Sequence, residues 1–248
     1  MKISTYVVNM EKDVSKKERM IEMLLNFPLL DVVFVKAVEG KKLSNEELKK
    51  CADIDEFKKR YSYQATLPAL GCSLSHLEIY KKLCESTQPS LILEDDATLV
   101  KNFTEKIKPI YNWLSEQNTP VVVLLSPCFS YNRYKVPMFT TGNSIVVNVK
   151  HGQMTSGYLI NPAAARLLAC KLQPVRYLAD DWDVMKGWGL NLMGVVPNLT
   201  DCPMELGEIG LSQVNTDTVA DNWFHRLKSI LSFRIRYILG MRYSRRAW

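Results

Sequence analysis

The segment SLILEDDATL (90–99) runs from the apolar Leu91-Ile92-Leu93 straight into three carboxylates, Glu94, Asp95 and Asp96. Adjacent like charges raise one another's pKa unless a cation compensates them. Oxygen ligands of this kind favour Mg2+ or Mn2+, ions that typically bridge to substrate phosphates. In an extended backbone Glu94 and Asp96, two residues apart, point to one face. A solvated loop, with one carboxylate capping the next helix, accounts for the same residues.

A second acidic cluster, LADDWDVM (178–185), places Asp180, Asp181 and Asp183 around Trp182, shortly after Arg176. An Asp partly desolvated against Trp182 has the raised pKa a general base needs. Helix capping by Asp180 or Asp181 ahead of WDVMKGW explains the pair equally well. His76 stands alone among apolar positions, the usual setting of a hydrogen-bonded structural histidine. Ser73 and Ser75 can cap the helix read over 73–86, where phosphate is favoured. Gly71 just before it suits a close backbone approach.

The elements that must position these groups follow from periodicity. ISTYVVNM (3–10) and DVVFVKAVEG (31–40) read as strands, and the segment between them as a helix with a Ser15/Glu18 capping box. Strand, helix and strand in that order begin an α/β sheet. Ser44 and Glu47 make a second capping box for a short helix, while 51–66 is left between helix and loop. SLIL reads by pattern as a central strand of such a sheet, and ligands sit beyond the carboxyl ends of such strands. A helix over 101–117 is expected to be interrupted near Pro109. PVVVLLS (120–126), MTSGYLIN (154–161) and NLMGVVPN (191–198) read as strands, the last closing the sheet. Residues 127–150 read as a long loop or hairpin excursion, and 162–172 as a helix with Asn161 as cap and Pro162 first.

Bulk properties narrow the class. With 248 residues, 47% hydrophobic and 23% charged, the chain has the makings of one folded domain with its own core. No apolar run reaches the ~20 residues a membrane span needs. Met1-Lys2 leads into a strand pattern and not a secretory leader, so a cytoplasmic protein is expected. The six cysteines, Cys51, Cys72, Cys84, Cys128, Cys170 and Cys202, lack paired spacing and read as free, mostly buried thiols. The net charge of +6 belongs to the C-terminal end. From Trp223 onward there are seven basic residues and no acidic ones, which leaves 25 basic against 26 acidic residues elsewhere. That distribution argues against a nucleic-acid partner.

Several of these stretches, in this order, resemble glycosyltransferase family 25, the bacterial lipopolysaccharide and lipooligosaccharide β-galactosyltransferase type. They are YVVNMEKDVSKKERM, VKAVEG, GCSLSHLEIYKK, LILEDDATL, SGYLINPAAARLL and ADDW. The resemblance covers roughly residues 3–200. It implies a GT-A-like nucleotide-sugar-binding α/β domain, with a mixed central sheet flanked by helices. It also implies a UDP-sugar donor, a Mn2+ or Mg2+ cofactor and inversion at the anomeric carbon. Carried onto this chain, it makes Asp96 and Glu94 the metal ligands and Asp181 the catalytic base. Val8, Asn9, Arg19, Glu39, Gly40, Ser75, His76, Glu94 and Asp95 fall on the donor side. Two positions depart from the family pattern: Ala69 stands where a Glu is usual, and Glu39 where an Asp is usual. The implied reaction moves galactose from UDP-galactose to a lipooligosaccharide or lipopolysaccharide acceptor. UDP-glucose, an N-acetylhexosamine donor, or a non-catalytic relative binding sugar nucleotide or membrane are the alternatives.

A domain over 1–222 and a basic extension over 223–248 are expected. In the extension Leu227, Ile230, Leu231, Ile235, Ile238 and Leu239 can share one helical face and leave the arginines on another. That pattern suits a helix lying on the anionic inner-membrane surface, near a lipid-linked acceptor. A helix packed on the domain with a solvated basic face suits it as well.

Overall fold

The structure is a computed structural model that describes residues 2–127, 129–132, 139–202 and 241–243. It opens with β1 (Ile3–Asn9), α1 (Val14–Leu24) and β2 (Leu30–Lys36). A 3-10 turn at Gly40–Lys42 leads to α2 (Asn45–Cys51), α3 (Ile54–Tyr61) and the long α4 (Leu67–Leu83). Then follow β3 (Ser90–Glu94), β4 (Thr98–Leu99), α5 (Phe103–Ser115) and β5 (Val121–Leu124). The excursion after β5 holds β6 (Phe129–Asn132), β7 (Phe139–Thr141) and β8 (Ser144–Gly152). β9 (Gly157–Ile160), α6 (Pro162–Lys171), α7 (Trp182–Gly187), β10 (Asn191–Val196), β11 (Thr200–Asp201) and β12 (Met241–Tyr243) complete the described chain.

One mixed sheet carries the order β12-β6-β8-β10-β5-β9-β3-β1-β2, with β7 on β8, while β4 and β11 pair separately. β1 runs parallel to both β2 and β3, and β9 runs antiparallel to β3 and β5. The expected mixed sheet flanked by helices is therefore the architecture found.

Helices on both faces explain the unbroken apolar strands. Leu91 and Leu93 join one core with Met20, Leu24, Phe103, Ile107 and Ile110 of α1 and α5. Ile92, between them, joins the opposite core with Leu74, Leu77, Tyr80 and Leu168 of α4 and α6. A strand covered on both sides loses the polar half of its alternation. The periodicity of α4 is weak for the same reason. Its residues 69–71, 73–77, 79, 80 and 83 are all buried, as in a helix enclosed on every side.

Several local expectations change. α4 starts at Leu67, and Thr66 is the cap, accepting from Ala69 N at 3.2 Å. Ser73 and Ser75 lie inside the helix, where their hydroxyls donate to Ala69 O and Gly71 O, and neither caps it. Asp13 holds the cap position of α1 without a side-chain bond, so Ser15 and Glu18 form no capping box. α5 continues through Pro109. Proline removes one backbone bond, and the buried stripe of Phe103, Ile107, Ile110, Tyr111 and Leu114 holds both halves in line. β10 is not the last strand, and 54–61 is helical. Among the described cysteines all five are free, but only Cys202 is buried. The capping box of Ser44 and Glu47 and the Asn161 cap before Pro162 form as read.

The residues proposed for a basic surface helix, Leu227 to Leu239, lie outside the described residues. Nearby, Met241–Tyr243 pair antiparallel with Ser130–Asn132 and extend the sheet. No described helix is long and apolar enough to cross a membrane.

Candidate active site

The carboxyl ends of β1 and β3 lie side by side because the strands are parallel, with Val8 opposite Glu94. β9 runs the other way, with Gly157 opposite Leu93, so the residues just before it reach the same edge. Gly157 is required there, because a Cβ would sit 2.5 Å from Thr200 Oγ1.

Each residue of the acidic triplet meets a different environment. Glu94 accepts from the Thr155 hydroxyl and from His76 Nε2, the latter at 3.3 Å. Burial pushes the Glu94 carboxyl up, but the hydrogen bond and charge of His76, with Thr155 and Lys16, hold it below the usual range. Asp95 accepts from Asn9 Nδ2 at 2.8 Å and has Lys16 Nζ 3.9 Å away. Burial nevertheless raises it, helped by Asp13 and Glu94. Arg19 clamps the backbone of the same turn, donating to Asp95 O at 2.5 Å and to Ala97 O at 3.4 Å. Asp96 is pushed up to about 6, first by burial and then by the charges of Glu94 and Asp95. Its Oδ1 is buried and has no hydrogen-bond partner. A buried carboxylate oxygen without a donor is costly on its own, and an oxygen-seeking divalent cation satisfies it. The residues present thus fit the Mn2+ or Mg2+ that the acidic triplet suggests.

Beneath Glu94 runs a buried chain of polar groups. His76 Nδ1 is 2.7 Å from Tyr158 Oη, which is 2.8 Å from Tyr80 Oη. Tyr158 also stacks edge-on against Trp182, with ring centroids 5.4 Å apart.

The second acidic cluster divides. Asp181 is the cap of α7, accepting from Val184 N at 3.3 Å. Its other oxygen accepts from the Tyr61 hydroxyl at 2.5 Å and lies 3.6 Å from Arg60 Nε. Asp180 instead accepts from Met154 N at 3.0 Å. Burial raises its pKa, and the negative charge of Glu94 adds to the rise. The charge of Glu94, in the first cluster, is thus felt at Asp180 in the second. Trp182 Nε1 donates to Met154 O at 3.0 Å, so residues 180 and 182 grip the same residue. Met154 holds a left-handed backbone, φ 64°, a conformation that disfavours a side chain. Asp183 pairs with His151 at the surface, 2.7 Å apart.

Val8, Asn9, Arg19, His76, Glu94, Asp95 and Asp96 thus converge at one edge of the sheet. The other three, Ser75, Gly40 and Glu39, make contacts of their own. Ser75 Oγ accepts from Val38 N at 2.8 Å and ties α4 to the chain after β2. Gly40 and Gly71 meet there backbone to backbone, and a Cβ on Gly71 would come within 2.4 Å of Val38 O. Glu39 pairs with Lys42 at 2.8 Å. Sequence reasoning missed Thr155, Tyr158 and Tyr80, whose partners are distant in the chain. Lys16 carried a usable signal, since it stands three residues before Arg19 on one face of α1.

The sequence model of glycosyltransferase family 25 (LPS biosynthesis protein) matches residues 2–182. The chain belongs to glycosyltransferase family 25. A "Glycosyltransferase 25 family member" of Aedes aegypti is 32% identical over 117 residues, covering 42% of this chain and 18% of that protein. One from Anopheles gambiae is 37% identical over 103 residues, covering 37% and 16%. The matched part of the chain spans less than a fifth of either relative. A solved structure from Bacillus anthracis, described as a candidate glucose-1-phosphate thymidylyltransferase in complex with sucrose, is also similar. It superposes with a TM-score of 0.43 and 10% identity, across 91% of this chain and 99% of that one. The family match ends at Trp182, so it contains the acidic triplet, the His76 chain and the Asp180–Asp181 pair.

Proposed function

We propose that this protein is a metal-dependent inverting hexosyltransferase. It moves a sugar, galactose from UDP-galactose foremost, onto a lipooligosaccharide or lipopolysaccharide acceptor at the cytoplasmic face of the inner membrane. The observation that carries the reading is the unpartnered, buried Oδ1 of Asp96, under the charge of two other carboxylates just past the carboxyl end of a central strand. The family supports sugar transfer; the acidic site supports a donor whose diphosphate arrives with a divalent cation.

In this reading Asp96 and Glu94 hold the Mn2+ or Mg2+, which when bound offsets the charge developing on the leaving diphosphate. Asn9, Lys16 and Arg19 hold the Asp95 turn in place. A carboxylate must take the acceptor hydroxyl proton as the oxygen attacks the anomeric carbon from the face opposite the leaving group. The resemblance pointed to Asp181 for that role. We assign it to Asp180, because both oxygens of Asp181 are engaged by donors while burial and the charge of Glu94 raise the pKa of Asp180. Asp181 then positions it by fixing the start of α7.

The test is UDP release from UDP-galactose, UDP-glucose and UDP-N-acetylglucosamine with a lipooligosaccharide acceptor, in Mn2+ and in chelator. Release from UDP-galactose that chelator abolishes is the expected result. Faster release from another donor reassigns the sugar. Undiminished release in chelator overturns the metal reading, and no release from any donor overturns transfer.

A further inference from the structure

We propose that Cys72, His76 and Glu94 form a site for a borderline-soft divalent cation of the zinc type, separate from the all-oxygen position at Asp96. One sulfur, one imidazole nitrogen and one carboxylate oxygen from these residues all lie within 4.8 Å of one another. Cys72 and His76 are four residues apart and share one face of α4. Glu94 approaches from the end of β3. Sulfur, nitrogen and carboxylate oxygen are the donors zinc takes, whereas Mg2+ and Mn2+ prefer oxygen alone.

The His76–Glu94 distance fits the assignment. At 3.3 Å it is long for a hydrogen bond to a carboxylate. Two metal bonds of about 2.0 Å at the tetrahedral angle separate nitrogen and oxygen by roughly 3.3 Å. At a bond of about 2.3 Å the sulfur lies roughly 3.5 Å from the other two donor atoms, so from a separation within 4.8 Å Cys72 Sγ completes the trigonal face with a shift of at most about 1.3 Å. The fourth position is left to solvent.

The surroundings already supply the outer contacts such a site requires. His76 is 1% exposed, and Tyr158 Oη at 2.7 Å fixes its ring so that Nε2 faces Glu94. When Nε2 binds the cation, Nδ1 carries the ring proton and Tyr158 accepts it as a hydrogen bond. Thr155 orients the Glu94 carboxylate. Glu94, Asp180 and Asp96 place negative charge around Cys72. Binding forms one metal–sulfur bond and releases the thiol proton to solvent.

Both cation positions draw on Glu94, so filling this one withdraws it from the Asp96 position. Inhibition of transfer by Zn2+ is a consequence that rests on the transfer reading above; cation binding does not depend on it.

The test uses the full chain, freed of metal with chelator and titrated with Co2+. The expected result is saturation at one ion per chain, with a thiolate-to-cobalt charge-transfer band and tetrahedral d–d intensity. Zn2+ should displace the cobalt and Mg2+ should not. Cys72→Ser should abolish the charge-transfer band, His76→Gln should weaken binding at least tenfold, and Asp96→Asn should leave the spectrum unchanged. Circular dichroism checks that each variant is folded. Absence of the band in the wild type, its survival in folded Cys72→Ser, or its loss in Asp96→Asn overturns the site. Failure of UDP release with the cobalt spectrum intact overturns only the transfer reading.

Discussion

Replacing Asp96 by Asn is expected to stabilise the metal-free protein while removing its response to Mn2+. The sign follows from linkage. The Asp96 carboxyl is pushed from its ordinary 3.8 up to about 6 by burial and by the charges of Glu94 and Asp95. A raised acid pKa means that the folded chain disfavours the ionised form. The resulting loss of stability is absent below pH 3.8, grows as pH rises through that value, and is complete above about 6. Two units at 1.36 kcal/mol each set an upper bound of about 3 kcal/mol, and partial exposure reduces it to about 1–2 kcal/mol. The Cys202 thiol hydrogen-bonds to the Asp96 carboxyl and opposes part of this rise, and Asn keeps the shape and an oxygen acceptor for that thiol without the charge. At 2–4 °C per kcal/mol for a chain of this size, the melting temperature in chelator at pH 7 should rise by roughly 2–8 °C. In Mn2+ at a hundred times its dissociation constant, the wild type should gain about 2.7 kcal/mol and the variant almost nothing. Differential scanning calorimetry with and without Mn2+ measures both quantities. If Asp96→Asn melted lower in chelator, Asp96 would be a structural acceptor. Equal stabilisation of both proteins by Mn2+ would place the cation elsewhere.

Asp180→Asn should lower kcat at least a hundredfold with little change in donor KM, a loss in the range expected for a general base. Asp181→Asn should cost far less turnover but about 1 kcal/mol of stability in urea, since it weakens a helix cap and the Tyr61 contact; the reverse pattern returns the base to Asp181. Ser75→Ala leaves Val38 N without its acceptor and should cost about 1–3 kcal/mol by urea titration, with donor affinity unchanged in the folded variant. Gly71→Ala drives a Cβ to 2.4 Å from Val38 O and should destabilise by about 1–3 kcal/mol or prevent soluble expression; wild-type stability refutes the contact. The full-length chain should sediment with anionic vesicles at low salt and be released at high salt, and indifference to the vesicles removes the membrane role of 223–248.

What could be read from the sequence is what depends on near neighbours. The Ser44–Glu47 box and the Asn161 cap need only three residues of context, and both form. Leu91-Ile92-Leu93 is bounded and continuous, and a strand buried on both faces looks like that. The start of α4 is hidden in the sequence because Ser73 and Ser75 are both good cap residues, while Thr66, the actual cap, precedes an apolar segment broken by Pro68 and Gly71. Inside a buried helix, Ser73 and Ser75 satisfy their hydroxyls on carbonyls four residues back. The Ser75 hydroxyl also accepts from Val38 N, 37 residues away, a bond that no local pattern encodes. Thr155 and Tyr158 were missed for the same reason, with partners 61 and 82 residues distant.

The way the two acidic clusters meet follows from the reversed strand in the middle of the sheet. β1 and β3 run parallel, so Asn9 and Glu94 finish at one edge. If β9 were parallel as well, its first residues would lie at the opposite edge, a strand length away. Because it is antiparallel, Thr155 and Ser156 arrive beside Glu94, and Glu94 N donates to Ser156 O at 3.1 Å. Met154, just before them, carries the second cluster. Its N–H is taken by Asp180 and its carbonyl by the Trp182 indole, which fixes residues 180–182 to that edge. Met154 adopts its left-handed backbone at the point where both groups are gripped. Met154→Gly should therefore relieve a local cost of about 1 kcal/mol and yet lower turnover, because the same change loosens the hold on Asp180. A variant more stable in urea and less active would show that this strained residue serves the site and not the fold, whereas full activity would show that Asp180 needs no such support.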